Sequence, residues 1–520
     1  MKHSLIRFSA VVLTIAFVFA LTGCGSGSNS FTWFVDSIPA NLDPQVASAS
    51  ADVIACENLY SGLVRKDPSG KYEPALCERW EKSSDGLTYT FYLKDGLTYT
   101  AAKGNTTDYA ITAEDFVFAF RRLFRAETNS PYAVEFAALE NSAAVLAGQM
   151  PASAMGVSAP EPLQLVFHLS TPDETFLSKL TLPGAMPCDE EFFNSTRGTY
   201  GLTSASTLSS GSFYLYNWTS GGLFLRREPS GTLIDSLRLV QNTNNANQSA
   251  VELVNGEKCS AALDDTGSTT SLSSISYSDT TWSLLFNCGT LFSSTELRQS
   301  LAGVAREAAV VPSTGLFAAA DGLIPDGLNV DGMNYRSTVG NVSPAAVDVR
   351  ALYLSARQGM ANSDFNKVTL MIPAGSGLTE AAETINGAWQ KELSLFFSIE
   401  EVDEETFQKR LSEGDYTIAL APISAESGSV YSMLAQFTTA GGNLTGYANA
   451  LYATQLEAST HATGAARCRL LGECERQLLS DCVAVPLFSQ QKRLLVASGI
   501  KGLIFDPFGP VLDLTYTTKE

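Results

Sequence analysis

Apolar and polar residues alternate or recur along this chain in segments that read as both strands and helices. Residues 31–37, FTWFVDS, form a strand candidate, and IPANLDP (38–44) follows as a turn-prone stretch. From Asp52 to Leu63, the residues Val53, Ile54, Cys56, Leu59, Tyr60 and Leu63 recur near helical spacing, which predicts a helix. DPSG (67–70) is a turn, and LTYTFYL (87–93) alternates in the manner of a hairpin strand around KDG (94–96). ITAEDFVFAFRRLF (111–124) carries the strongest helix start. Thr112 is placed as N-cap, Asp115 stands three residues on, and Phe116, Ala119, Phe120 and Leu123 make an apolar stripe. Residues 163–169 predict a further strand, and SSGSFYLYNW (209–218) with LFLRRE (223–228) predicts a second hairpin. Residues 294–310 and 379–396 predict amphipathic helices. KVTLMIP (367–373) and YTIALAP (416–422) are strands of the fully buried type, set among helices as in a βαβ lobe.

The first thirty residues follow another logic. Lys2, His3 and Arg7 precede Phe8 to Ala20, an uncharged run of thirteen residues, too short to span a bilayer core of about 30 Å and of signal-peptide length. The run ends in Leu21-Thr22-Gly23-Cys24, which resembles the lipobox of bacterial lipoproteins. That resemblance makes Cys24 the lipid-modified N-terminus and GSGSNS a polar tether, since stable anchoring takes more than one acyl chain. The alternative is a cleaved secretory peptide with an incidental cysteine.

A formal charge of −20 argues against a nucleic-acid partner, whose phosphates need a basic face. At 45% hydrophobic and 10% aromatic residues, the 520-residue chain has the composition of a packed globule, and its length suits two or three lobes. Eight cysteines besides Cys24 contain no C-x-x-C pair; they read mostly as small buried hydrophobes, with their pairing open. Only His168, in an apolar strand-like run and read as structural, and His461 remain after the leader. No nucleophile elbow, zinc-protease, phosphate-loop or dinucleotide fingerprint occurs, so enzyme, cofactor and metal readings find little support.

The landmarks gain meaning in series. LDP (42–44), NLYSGLVRKDPSGKYEPALCERWEKSSDGLTYTFYLKDGLTY, ITAEDFVFAFRRL, SSGSFYLYNW, LLFNCGTLFSSTELRQSLAGVAREAAV and DPFGPVLDL resemble, in that order, the oligopeptide- and dipeptide-binding lipoproteins of bacterial ABC importers, extracellular solute-binding family 5. The likeness runs from about Thr32 to about Tyr516. It implies an α/β, two-lobed, type II periplasmic-binding-protein-like fold with an extra inserted domain and mixed sheets flanked by helices. The expected organisation is a signal peptide over 1–23 and a tether over 24–30. Domain I would comprise 31–60, 200–284 and 490–520, domain II 61–199, and domain III 285–489. A short peptide would lie between domains I and III, and the partners would be permease subunits and the membrane, with the protein a monomer on the extracytoplasmic face.

A receptor for varied peptides must grip what peptides share, the backbone and the charged ends. The resemblance places Tyr132, from SPY, against the peptide. In PISAESG (422–428) it sets Glu426 where the family has an aspartate that pairs with the α-amino group. Ile423 stands in place of the family's tryptophan, and Leu420 in place of an arginine, so a stacking wall and a carboxylate anchor are not expected. Ile423, Ser424 and Ala425 beside Glu426, Ser50 after the LDP segment and Gly211 in SSGSFY complete the candidate ligand-binding set. Asn287 and Arg298 are expected to brace the start of domain III. The competing readings are a sugar, a metal chelate or a signalling peptide on the same fold, and a surface-anchored enzyme or adhesin.

Overall fold

A computed structural model describes residues 29–520 except 70, 174, 246, 265, 314–316, 332, 425–428 and 508–510. The leader, Cys24 and most of the tether therefore lie outside the described residues. Among those described, no helix is long and apolar enough to cross a membrane.

Three bodies form around separate cores. In the first, Ser30–Val35 runs parallel to Ser236–Gln241, which is antiparallel to Gly222–Arg226, and that strand pairs with Tyr214–Thr219, the hairpin expected. One face buries Phe31, Leu225, Leu237 and Leu239 with Ile54 and Leu59 of the helix Ser50–Leu59, and residues as distant as Leu494, Leu512 and Leu514 join them. That helix stops short of the predicted Leu63. Tyr60 is extended, at φ −116° and ψ 152°, and its hydroxyl donates to Leu42 O at 2.8 Å. Nearly every residue of the helix is buried, so apolar spacing could not mark where it ends.

The second body contains the other departure. LTYTFYL and the strand after KDG are not a hairpin. Thr88–Leu93 lies between Cys77–Lys82 and Gln164–His168, whereas Thr98–Ala101 pairs with Asn105–Ala110 and with Leu208–Ser209. Lys94 turns the chain from one sheet to the other, its N–H donating to Leu76 O at 2.9 Å and its Nζ to Ala75 O at 2.6 Å. Period-two alternation shows that a strand has two faces but not which strand it meets. The helix Ala113–Leu123 starts as expected, Asp115 Oδ2 accepting from Thr112 N at 2.9 Å. Burial lifts the Asp115 carboxyl to about 7. Its stripe meets a buried aromatic cluster. Phe120 lies edge-on to Phe136 and Phe167 with centroids 4.9 and 5.0 Å apart, and Phe176 meets Phe167 at 5.2 Å.

The third body holds the βαβ unit. Thr369–Pro373 runs parallel to Ser398–Val402 on one side and to Ile418–Ser424 on the other, with helices Thr379–Leu393 and Glu404–Glu413 as crossovers. Both faces of this sheet are covered. Leu370, Ile372, Ile418 and Leu420 face one core, and Met371, Ala419, Ala421 and Ile423 the other, which is why the strands read as unbroken apolar runs. Asn287 Nδ2 donates to Gly414 O and Tyr416 O at 2.8 and 3.0 Å, and Arg298 to Asp481 O and Phe292 O at 2.8 and 2.7 Å, so both act as braces.

Two long antiparallel strands, Ser273–Phe286 and Ala484–Val496, tie the first body to the third. Leu494 and Val496 lie in the first core; Trp282, Phe286, Val485 and Phe488 lie in the third. The eight cysteines of the described residues are all free, seven of them buried and Cys288 half-buried. His168 is exposed on its strand with Nδ1 3.3 Å from Thr88 Oγ1.

Candidate functional site

Ligands of open α/β sheets gather beyond the carboxyl ends of parallel strands, where diverging connections leave room. Two such ends carry the candidate residues. Ser30–Val35 opens into the loop spanning residues 36–49, and Ile418–Ser424 ends immediately before residues 425–428.

The first loop is held from behind at almost every step. Trp218 Nε1 donates to Pro39 O at 2.9 Å, Ala40 N to Asp52 Oδ1 at 2.7 Å, and Leu42 N to Gly201 O at 2.8 Å. Burial raises the Asp52 carboxyl's pKa, opposed by the loop N–H groups of Ala40 and Asn41. Asp43 receives a bidentate grip from Arg122, whose Nη2 lies 2.5 Å from Oδ2 and whose Nη1 lies 3.3 Å from Oδ1. The same guanidinium donates to Gln45 Oε1 at 2.6 Å, and Gln45 Nε2 donates to Met186 O at 2.9 Å. Asp43, Gln45 and Arg122 are all buried. Gly201 is at φ +72°, and a Cβ there would lie 2.3 Å from Asp43 N, so only glycine lets the second body approach this closely. Finally Ser130 Oγ donates to Gln45 O, and Tyr132 Oη to Ala47 O, each at 2.6 Å. The loop is thus fixed by the inserted body and emerges at Ser48, Ala49 and Ser50, which are exposed. An open groove of about 520 Å³ borders it, lined by Ile38–Ala40, Leu202–Ser204 and Trp218–Ser220. A second cavity of about 410 Å³, beside Arg306, Val349 and Phe488, touches none of these loop residues.

The expected site residues separate into groups. Tyr132 is half-buried, its ring lies against Gly184, and burial pushes its phenol pKa up. Its hydroxyl proton is committed to Ala47 O, so its ring and the hydroxyl oxygen, as an acceptor, are left to meet a ligand. Ser50 is exposed as the first residue of its helix. Ser424 is half-buried, with Oγ 3.1 Å from Thr280 Oγ1. Ala425 and Glu426 lie outside the described residues. Two assignments are corrected. Ile423 is 0% exposed, turned by strand alternation into the core with Ala419 and Ala421, and offers no surface to a ligand. Gly211 donates its N–H to Leu59 O at 2.8 Å, and a Cβ there would meet the same oxygen at 2.8 Å; it serves close backbone packing.

Sequence reasoning missed the Asp43–Arg122–Gln45 cluster. Both charges sit in motifs that drew attention, LDP and FRRL, but 79 residues separate them. The available signal was a charge in the last turn of the helix, set directly among the apolar residues Ala119, Phe120 and Leu123.

Two α/β bodies joined by crossing strands, with the second body bracing one wall, make a two-lobed fold of the type II periplasmic-binding-protein kind. Residues 71–445 match the model of the bacterial extracellular solute-binding proteins, family 5 (middle region), and the chain belongs to that family. Its members are transport binding proteins, not enzymes. A dipeptide-binding protein of Lactococcus lactis subsp. cremoris is 28% identical over 39% of this chain and 38% of its own length. A probable deoxycholate-binding periplasmic protein of Escherichia coli, YgiS, is 33% identical over 29% of this chain. These alignments span only 28% and 38% of the two relatives' lengths. Among solved structures, the murein tripeptide-binding protein MppA in its unliganded open form superposes with a TM-score of 0.68. That match is at 17% identity and covers 95% of this chain and 98% of the other.

Proposed function

We propose that this protein captures short peptides between its first and third bodies and delivers them to the permease of an ABC importer, held at the extracytoplasmic face of the membrane by lipid on Cys24. The observation that carries the reading is the loop spanning residues 36–49, fixed in advance by Arg122, Ser130 and Tyr132; in the sequence, Glu426 follows the parallel strand Ile418–Ser424. A rigid wall lowers the ordering cost of binding, and backbone groups at a loop suit a ligand recognised by its main chain. The names of the L. lactis relative and of MppA support a peptide. Glu426 would pair with the α-ammonium group. Glu426→Ala should then weaken tripeptide binding by at least about tenfold in calorimetry, since loss of one partner of a charge pair costs about 1.4 kcal/mol or more; unchanged affinity removes that role. Cys24→Ser should shift the protein from the membrane to the soluble fraction, and continued membrane retention would refute the anchor.

The relation to YgiS favours a second reading, a non-peptide amphipathic solute on the same fold. Such a ligand has no α-amine, so its affinity would be indifferent to Glu426→Ala.

A further inference from the structure

The chain enters the first sheet through a clamp. Asn29 O accepts from Asp235 N at 2.7 Å, and Asn29 Nδ2 donates to Leu233 O and Gly231 O at 3.1 and 3.3 Å. Asn29 is thereby held against the connection, residues 227–235, between Gly222–Arg226 and Ser236–Gln241. That connection is laced to residues 517–519, Ile234 N donating to Thr517 O and Lys519 N to Thr232 O, each at 2.8 Å. Thr518–Lys519 pairs in turn with Ile500–Lys501, and Lys501 Nζ lies 2.6 Å from Glu520 Oε2.

Register places these segments at one end of the sheet. Ser30 pairs with Ser236, and Ser236 with Arg226, so the connection 227–235 lies at the amino end of Ser30–Val35. The loop spanning residues 36–49 and the hairpin turn at residues 220–221 lie at the carboxyl end. The amino end is also balanced in charge. Segments 228–233, 499–503 and 516–520 carry Glu228 and Glu520 against Lys501 and Lys519, whereas the whole chain carries −20. An anionic headgroup layer therefore repels this end less than the rest of the surface.

The reach of the tether then decides which way the body faces. Five Cα steps lead from Cys24 to Asn29, and fully extended they span at most about 18 Å. A compact chain of this length has a radius of gyration of about 24 Å, or about 60 Å from side to side. With lipid on Cys24, Asn29 cannot rise to half that height above the headgroups.

We infer that the amino end of the first sheet, built from segments 228–233, 499–503 and 516–520, rests on the phospholipid headgroups. The 36–49 loop, about 20 Å further along the six-residue strand, then points away from the membrane toward arriving ligand. This rests on the lipid-anchor reading above and is independent of what the ligand is.

The test uses the full chain, lipidated in a bacterial host and reconstituted into vesicles of phosphatidylethanolamine and phosphatidylglycerol. p-Acetylphenylalanine replaces the exposed Ser230, in the clamped connection, or the exposed Ser220, in the hairpin turn at the other end of the sheet, and carries a donor dye. A trace of the lipid carries a rhodamine acceptor on its headgroup. Flotation first establishes that lipid holds the protein on the vesicles, and both labelled proteins should melt as the unlabelled one does. Energy transfer should be higher from position 230 than from position 220. A long flexible Gly-Ser insertion after Ser28 should remove that difference. Equal transfer from both positions in protein that floats, or a difference that the insertion leaves unchanged, would overturn the inference while leaving the anchor standing. Protein that does not float would remove the anchor, and the inference with it.

Discussion

Asp43→Ala is expected to cost about 3–5 kcal/mol of unfolding free energy, because it strips a buried guanidinium of its carboxylate. Arg122 is 4% exposed and Asp43 is 6% exposed, so water cannot take over. Gln45 would still accept one hydrogen bond, and the rings of Phe193 and Tyr200 would remain 4.1 and 5.3 Å from the guanidinium carbon, but neither neutralises its charge. The substitution also removes the acceptor of Gln45 N at 3.1 Å, within the turn that presents Ala47 to Tyr132. Urea denaturation should show the loss of stability, and calorimetry should show weaker ligand binding in the same variant. A loss below about 1 kcal/mol would mean that the pair is solvated in solution.

Glu475→Ala should destabilise by a similar amount and leave affinity alone. Glu475 is wholly buried in the third body on the helix Gly464–Ser480, and its two oxygens accept five hydrogen bonds. Leu323 N and Ile324 N lie at 2.9 and 3.1 Å, Tyr335 Oη at 2.9 Å, and Arg336 Nη2 at 2.8 Å. Truncation orphans a phenol and two backbone N–H groups and leaves the Arg336 guanidinium with only the exposed Asp326 at 4.0 Å and Ile324 O, which costs about 3–5 kcal/mol by the same reasoning. Among the described residues, no candidate ligand residue hydrogen-bonds to this cluster. Comparing the two variants therefore separates stability from site geometry: both should melt early, and only Asp43→Ala should bind poorly when measured well below its transition.

What was legible in the sequence follows from local physics. The unbroken apolar runs LMIP and IALAP could be read because both faces of their sheet are covered. The helix after Thr112 could be read because Asp115 caps it within three residues. What depends on distant partners was not legible. Strand Thr88–Leu93 alternates identically whether it pairs with its neighbour or with residues 164–168, and tertiary packing chose the latter. The helix end at Leu59 is fixed by Tyr60 reaching Leu42, a contact that no periodicity reports. At the site, family resemblance pointed to Tyr132, whose hydroxyl holds the first loop at Ala47, and to Ser424, at the end of its strand. It gave Ile423 a ligand-facing place that the strand's alternation takes away. The ion pair behind the first loop, between residues 43 and 122, exists only once the inserted body folds against the first.

The central claim is that a backbone-bearing guest with a free amine binds between the first and third bodies. Mass spectrometry of small molecules released on denaturing the freshly purified full-length protein addresses it directly. The account predicts a population of short peptides with unmodified N-termini, in near-stoichiometric yield. Recovery of a bile acid, a sugar or a metal chelate in that yield, with no peptide, would contradict it.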